Sequence, residues 1–284
     1  MNTLLLLLTA GASAEASQAA EAAKPDPAAI VMHHVTNQPF LGLDWLSHHL
    51  LFFVAAAALV LVAVRLAIRG YQAGVPRGLA TPVEALVLFI RDEIAEKSIG
   101  PDGRKFTPLL CSFFFFILVA ALLGLVPFPI LRHGQWGALA VTSTGNIAVT
   151  AALAAISLVA QQYAGISRNG LWGHLKGLVP PGLPFWLLPV MILIEALGIF
   201  TKPFTLMVRL FANMLAGHMV ITVLLLLIPM LAGVSTVMGI GIIPVSLVLG
   251  LFIMLLELLV AFVQAYIFTM LTAIFIGMYA HPAH

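Results

Sequence analysis

Five long apolar blocks constrain this chain more than any other feature. It has 284 residues, of which 62% are hydrophobic and only 8% are charged, and its mean hydropathy is +1.10. Soluble domains carry roughly 25% charged residues, whereas a helix needs about 20 apolar residues to cross the hydrocarbon core of a bilayer. The sequence therefore predicts an all-α polytopic membrane protein with five membrane-spanning helices.

The last two apolar blocks are much longer than the others. The predicted spans cover residues 45–64, 109–130, 139–163, 183–231 and 237–279. At about 1.5 Å rise per residue, either long block exceeds the roughly 30 Å hydrocarbon core. One interpretation divides the first long block into two spans, which reverses the orientation of everything downstream. The other makes each block one tilted helix, so that the two form a long hairpin around Gly233–Gly241. We prefer this tilted hairpin.

The basic residues of the loops predict the orientation, since short cytoplasmic loops carry an excess of Lys and Arg. Residues 65–105 contain seven, residues 165–182 contain two, residues 131–138 contain one and residues 229–241 contain none. The first two segments are therefore expected in the cytoplasm. Alternation then places the N-terminus outside and the C-terminus in the cytoplasm.

Residues 82–99, within the most basic segment, have apolar positions at helical spacing among charged ones. The apolar positions are Val83, Leu86, Val87, Ile90 and Ile94. This pattern predicts an amphipathic helix that lies at the membrane surface.

The first residues of the chain have the character of a targeting segment. Leu4–Leu8 form a short apolar core and Ala12–Ala14 resemble a signal-peptide cleavage site, although no basic residue precedes the core. An uncleaved tail is the alternative. We expect three parts: a tail with the signal-like segment (1–44), transmembrane helices with the amphipathic helix (45–182), and the tilted hairpin (183–284).

Few polar residues interrupt the two long blocks. An ionisable side chain in a spanning helix costs at least ~2.5–3.5 kcal/mol and indicates function. The first block contains Glu195, Lys202, Arg209, Asn213 and His218, and the second contains Glu257 and Gln264. The single cysteine excludes an internal disulfide and a thiolate metal cage, and neither a metal nor a cofactor is expected.

The spacing of these residues predicts two polar pairs in an antiparallel hairpin. Arg209 falls opposite Gln264, and His218 falls opposite Glu257 nearer the outer turn. An arginine keeps its charge, whereas a histidine can titrate near neutral pH. With Glu195 toward the cytoplasm, the layout indicates two aqueous half-paths separated by a permanent positive charge.

Simpler interpretations remain open for each residue. Glu257 could neutralise Arg209 structurally, His218 could be a packing residue, and the amides of Asn213 and Gln264 could only join helices. His218 also lies on the opposite helix face from Arg209 at about 100° per residue, so the outer path is expected to be offset sideways.

Residues 206–218 (LMVRLFANMLAGH), with Glu195 and residues 201–203 (TKP) before them, resemble subunit a of the F-type ATP synthases, in their membrane (Fo) sector. The segment from Glu257 through residues 264–272 (QAYIFTMLT) is similar to the last helix of that family. The likeness is specific over residues 184–280, and the loop charges agree from about residue 30.

The resemblance implies a role for each polar residue. Arg209 matches the essential arginine that faces the carboxylates of the rotating c-ring, and Gln264 and Asn213 match the amides beside it. His218 and Glu257 match the outer half-channel positions, in the order of mitochondrial members, and Glu195 matches the acidic group of the cytoplasmic half-channel. Many relatives have an acidic residue near the start of the third span; its nearest equivalent here is the neutral Asn146, which is expected beside the entrance of the outer path.

The resemblance also implies partners and location. The chain is expected to contact the c-ring, the peripheral-stalk b subunits and, indirectly, the F1 sector, within the inner membrane of a bacterium. The sequence has no phosphate-binding loop and no basic stripe with aromatics for nucleic acid. A cation antiporter would show repeated halves, and a bis-His haem protein needs two facing histidines in the bundle. Neither pattern is present.

Overall fold

A computed structural model describes residues 39–40, 43–71, 78, 80–125, 128–132, 135–139, 143–177, 187–234 and 236–281. The helices are α1 (His48–Tyr71), α2 (Ala80–Phe89), α3 (Glu96–Ile99), α4 (Gly103–Leu125), α5 (Ile147–Gly177), α6 (Leu188–Val234) and α7 (Thr236–Ala280). A π-helical turn (Ile90–Ala95) joins α2 to α3, and a 3₁₀ turn (Ser143–Gly145) precedes α5. The signal-like segment lies outside the described residues.

Among the described residues, five helices are long and apolar enough to cross a membrane, which confirms the predicted class. They are α1, α4, α5, α6 and α7. Several predicted boundaries were wrong: α1 continues to Tyr71 rather than ending at residue 64, and α4 ends at Leu125 rather than near residue 130. The helix α5 extends from Ile147 to Gly177 rather than from residue 139 to residue 163. Proline cannot continue a regular helix without losing a hydrogen bond, and Pro129 lies in a strand instead.

Two short antiparallel hairpins lie outside the spans and were not predicted. Strands β1 (Pro39–Phe40) and β2 (Leu43–Ser47) pair before α1. Strands β3 (Phe128–Arg132) and β4 (Gln135–Leu139) pair between α4 and the 3₁₀ turn. The all-α prediction therefore holds for the spans, and the connections add a small amount of β-structure.

The predicted amphipathic helix is present as α2, the π-helical turn and α3. Ile90, Ile94 and Ile99 are buried in the main core, and the segment packs against α4 and α7. Its exposed side carries ion pairs between Arg91 and Asp92 and between Lys97 and Glu93. One face thus joins the bundle and the other carries charge, as expected of an amphipathic helix.

The two long blocks form one helix each, which confirms the hairpin over the division into two spans. At about 1.5 Å per residue, the 47 residues of α6 and the 45 residues of α7 each extend to roughly 70 Å. The helices run antiparallel: Gly250 lies beside Leu224 near the turn, and Lys202 meets Tyr279 at the other end. Both lengths exceed the thickness of the hydrocarbon core, so the helices tilt within the membrane or extend beyond it.

A buried polar chain joins α5 to α7. The Ser157 and Thr272 hydroxyl oxygens lie 3.0 Å apart, and Gln161 Nε2 donates to Ser157 Oγ at 3.0 Å. All three side chains are fully buried. Because hydrogen bonds between helices are directional, this chain fixes the rotation of α7, and with it the direction of the polar residues on that helix.

Gly277 permits the closest approach between α7 and the segment before α4. A Cβ at this position would collide with the backbone carbonyl of Ser98, whereas Gly241 has open space around it. We expect Gly277→Ala to force the segment away from α7 and to destabilise the protein by about 1–3 kcal/mol. Thermal unfolding in detergent measures the effect. Gly241→Ala is the matched control, and equal melting of both variants would contradict this packing.

Candidate functional site: the polar face of the α6–α7 hairpin

Arg209 lies at the edge of the face with which α6 packs against the bundle. Its neighbours Leu206 and Leu210 are buried, whereas Val208 is 40% exposed. Arg209 itself is half-buried. Within the described part of the chain, it has no ion-pair partner at 4.0 Å or less. The guanidinium is thus held in an apolar helix with no counter-ion from the described residues.

Gln264 is hydrogen-bonded to Asn213. Its Oε1 atom accepts a hydrogen bond from Asn213 Nδ2 at 2.9 Å. Asn213 lies one helical turn beyond Arg209, the residue that the spacing predicted opposite Gln264. The two amides therefore pair with each other, and Arg209 lies one turn away along α6.

Glu257 is buried against Gly217. A Cβ at Gly217 would lie 2.7 Å from Glu257 Oε1 and 2.8 Å from its carboxyl carbon, so only glycine leaves room for the carboxyl group. Among the described residues, neither carboxyl oxygen has a hydrogen-bond partner. His218 follows Gly217 directly, so the backbone of His218 lies at the depth of Glu257, as the spacing predicted. The His218 side chain is outside the description.

Glu195 lies near a basic residue at the opposite end of the hairpin. Its Oε1 atom is 3.8 Å from Lys202 Nζ, and Lys202 Nζ also lies 3.2 Å from the Tyr279 hydroxyl. The sequence indicated Lys202 as one of the polar residues of the first long block and did not indicate Tyr279. No local sequence pattern predicts the contact between Lys202 and Tyr279, because 77 residues separate the two in the chain.

Asn146 caps α5. Its Oδ1 atom accepts a hydrogen bond from the backbone N–H of Ala148 at 2.8 Å, which is the geometry of an N-cap. The preceding hydroxyl groups of Ser143 and Thr144 are buried and have no hydrogen-bond partner among the described residues. The 3₁₀ turn that carries them packs against α1, α4, α5 and α6. These two hydroxyls are polar groups that the sequence analysis missed.

These features define a class of protein. A fixed positive charge lies at the edge of a membrane hairpin, and carboxyl groups are held at two other depths of the same hairpin. Glu257 and His218 lie between Arg209 and the turn, and Glu195 lies toward the opposite end. Ionisable groups inside a membrane-spanning hairpin are candidates for a functional site. The fold and site are those of a polytopic membrane protein with ionisable groups within its helical hairpin.

Comparison with known proteins gives the family. A family model described as "ATP synthase A chain" matches residues 50–277. The chain belongs to this family, which confirms the likeness to subunit a of the F-type ATP synthases.

The curated relatives agree with this assignment. The "ATP synthase subunit a" of Myxococcus xanthus is 46% identical over 86% of this chain and 75% of its own length. That of Anaeromyxobacter dehalogenans (strain 2CP-C) is 49% identical over 81% of this chain and 56% of its own length. The "ATP synthase subunit a 2" of Chlorobaculum tepidum is 38% identical over 94% of this chain and 77% of its own length. The chain thus spans little more than half the length of the Anaeromyxobacter relative.

The contact between Gly217 and Glu257 gives a prediction about stability. Gly217→Ala must push the Glu257 carboxyl group aside, and we expect it to destabilise the hairpin by about 1–3 kcal/mol with normal membrane insertion. Thermal unfolding in detergent measures it. Gly250→Ala is the control, because its added Cβ would meet Leu224 at an ordinary 3.6 Å.

A compensating change tests the same contact further. Glu257→Asp shortens the acid by one methylene group, so adding it to Gly217→Ala should restore part of the lost stability. A double variant less stable than Gly217→Ala alone would contradict the steric explanation.

Proposed function

We propose that this chain is the stator subunit of the membrane sector of a rotary ATP synthase. It provides two proton half-channels to the c-ring and couples proton passage to rotation. The observation that carries the proposal is Arg209, a fixed cation at the edge of α6 without a counter-ion among the described residues. A buried charge requires a partner, and a carboxylate on a neighbouring subunit would supply it.

The surface around Arg209 supports a partner on this side of the hairpin. Neighbouring side chains of α6 and α7 are large, apolar and exposed, including Phe204, Val208, Leu255, Leu259 and Phe262. Exposed apolar surface of this extent marks contact with lipid or with another protein. A ring of small helical hairpins, each with one carboxyl group, fits both the apolar surface and the single positive charge.

The outer half-channel is proposed to pass His218 and Glu257. The buried Glu257 carboxyl group has no hydrogen-bond partner among the described residues, which suits a group that takes up and passes on protons. The Asn146 amide lines the entrance but also caps α5, so it contributes polarity rather than a titrating group. A histidine on this path favours protons over sodium as the coupling ion.

The inner half-channel is proposed to pass Glu195. A proton enters from outside and neutralises a ring carboxylate, which can then rotate through lipid. After nearly a full turn, that carboxyl group meets the inner path and ionises beside Arg209. Attraction between unit charges at 4 Å is about 4 kcal/mol at an effective dielectric constant of 20. This energy favours ionisation without permanent binding, and the same positive charge prevents direct proton leakage between the two paths.

The amide pair has a supporting role in this proposal. Because Gln264 Oε1 accepts a hydrogen bond from Asn213, this acceptor is occupied, and the guanidinium of Arg209 stays available to the ring. The hairpin (183–284) then carries both half-channels, and the helices of residues 45–182 support it. The peripheral-stalk b subunits are the proposed partners of these helices, and the F1 sector is reached only through other subunits.

The chain is proposed to conduct ions without catalysing ATP chemistry itself. We place it in the bacterial inner membrane, with the N-terminus outside and the C-terminus in the cytoplasm, because the basic segments 65–105 and 165–182 then face the cytoplasm.

Arg209→Ala should abolish ATP-driven proton pumping while the complex still assembles. Loss of about 4 kcal/mol of attraction corresponds to about three orders of magnitude in an equilibrium. Acidification of inverted membrane vesicles on addition of ATP measures pumping. Arg69→Ala removes an exposed arginine of α1 and should pump normally. Normal pumping by Arg209→Ala would sink the proposal.

His218→Ala should slow proton passage and flatten its dependence on pH near neutrality, because an imidazole exchanges protons in that range. Passive proton flux through vesicles, measured at a series of external pH values, tests this. An unchanged pH profile would show that His218 is outside the outer half-channel.

A further inference from the structure

The ammonium group of Lys202 is held mainly by α7. Lys202 Nζ lies 3.2 Å from the Tyr279 hydroxyl oxygen and 4.8 Å from the centre of the Tyr279 ring. It also lies 5.7 Å from the centre of the Phe275 ring. Lys202 Nζ also donates to Met278 Sδ at 3.5 Å, so two hydrogen bonds and two cation–π contacts draw this charge toward α7. The contact with Glu195 on the same helix, at 3.8 Å, is too long for a hydrogen bond.

Tyr279 is itself fixed by its surroundings. The residue is only 6% exposed, and its ring packs edge-to-face on the His174 ring at 5.7 Å. Its backbone carbonyl accepts a hydrogen bond from Asn169 Nδ2 at 3.1 Å. Because α5 holds the tyrosine in two ways, its hydroxyl is a rigid support for a flexible lysine.

We propose that Tyr279 is a positioning residue that sets the separation of Lys202 from Glu195. The inference rests on the proposed function, because it assigns this triad to the mouth of the inner half-channel. With the tyrosine in place, Glu195 is near a positive charge but is not directly hydrogen-bonded to it. The carboxyl group then remains able to take a proton from the channel and release it to the cytoplasm.

Few charged or titratable groups surround the triad in the part of the chain that the structure describes. On α6 they are Glu195 and Lys202, on α7 the hydroxyl of Tyr279, and on α5 the ring of His174, which packs on the tyrosine. His174 Nε2 is paired with Gln162 Oε1 at 2.9 Å. Lys202 is thus the only permanent charge among them, and its distance from Glu195 decides how strongly the ionised carboxylate is favoured.

Tyr279→Phe tests the inference, because it removes the hydroxyl and keeps the ring. Lys202 can then close on Glu195 and add a direct hydrogen bond to their ion pair. Proton flux should fall about threefold to tenfold, the effect of one charge-assisted hydrogen bond in a half-buried site. Its dependence on cytoplasmic-side pH should move toward acid pH. Lys202→Met removes the charge and should move the same profile in the opposite direction.

The double variant separates positioning from general damage. If Tyr279 acts through Lys202, Tyr279→Phe should have no further effect in the Lys202→Met background. Equal losses in both backgrounds, or a wild-type profile for Tyr279→Phe, would overturn the inference. Should Tyr279→Phe fail to assemble, an unshifted profile for Lys202→Met would overturn it, and an alkaline shift would support it.

Two further variants complete the series in the assembled complex. Tyr163→Phe removes the hydroxyl of an exposed tyrosine on α5 and should leave flux and pH profile unchanged. Arg209→Ala in the same assay separates the two proposals. If it pumps normally, the proposed function fails, whereas an inactive Arg209→Ala beside an unaffected Tyr279→Phe refutes only the role of the tyrosine.

Discussion

The antiparallel packing of α6 against α7 sets the depth and direction of the polar groups along the hairpin. The helices approach closely where Gly217 faces Glu257, and the Asn213–Gln264 bond holds them further along. At the far end, the Lys202–Tyr279 contact holds them again. Since the helices are continuous, a shift at any one of these points would displace the others. The half-channel proposal depends on this shared register.

Neutral and charged groups are separated around α7. Toward α5, the helix is held by the uncharged chain of Thr272, Ser157 and Gln161, which is fully buried. On the side toward α6, α7 contacts Lys202 through Tyr279 and carries Glu257. Neutral hydrogen bonds suit the interface that must stay fixed, because a buried ion pair loses much of its attraction to desolvation. The ionisable groups lie on the side of α7 that faces α6, where the proposed function requires a proton or a partner carboxylate to interact with them.

The sequence predicted the spans well because their signal is strong and local. Apolar length indicated five helices, and the paired spacing of polar residues located the hairpin register to within one turn. The start of α5 was missed because Asn146 caps the helix while apolar residues precede it, and composition alone cannot separate these from the span. Tyr279 was missed for a different reason: its role depends on Lys202 and His174, and only the folded chain brings them together.

The π-helical turn at Ile90–Ala95 has a consequence for the length of its segment. In a regular α-helix, Ile94 and Ile99 would lie about 140° apart, yet both are buried in the same core. Hydrogen bonds from residue i to i+5 accommodate one extra residue in the turn and restore the angular phase of the helix. Loss of a single residue here would rotate Ile99 and the start of α4 out of phase with the bundle. The number of residues in this turn is therefore under structural constraint, independently of which side chains they carry.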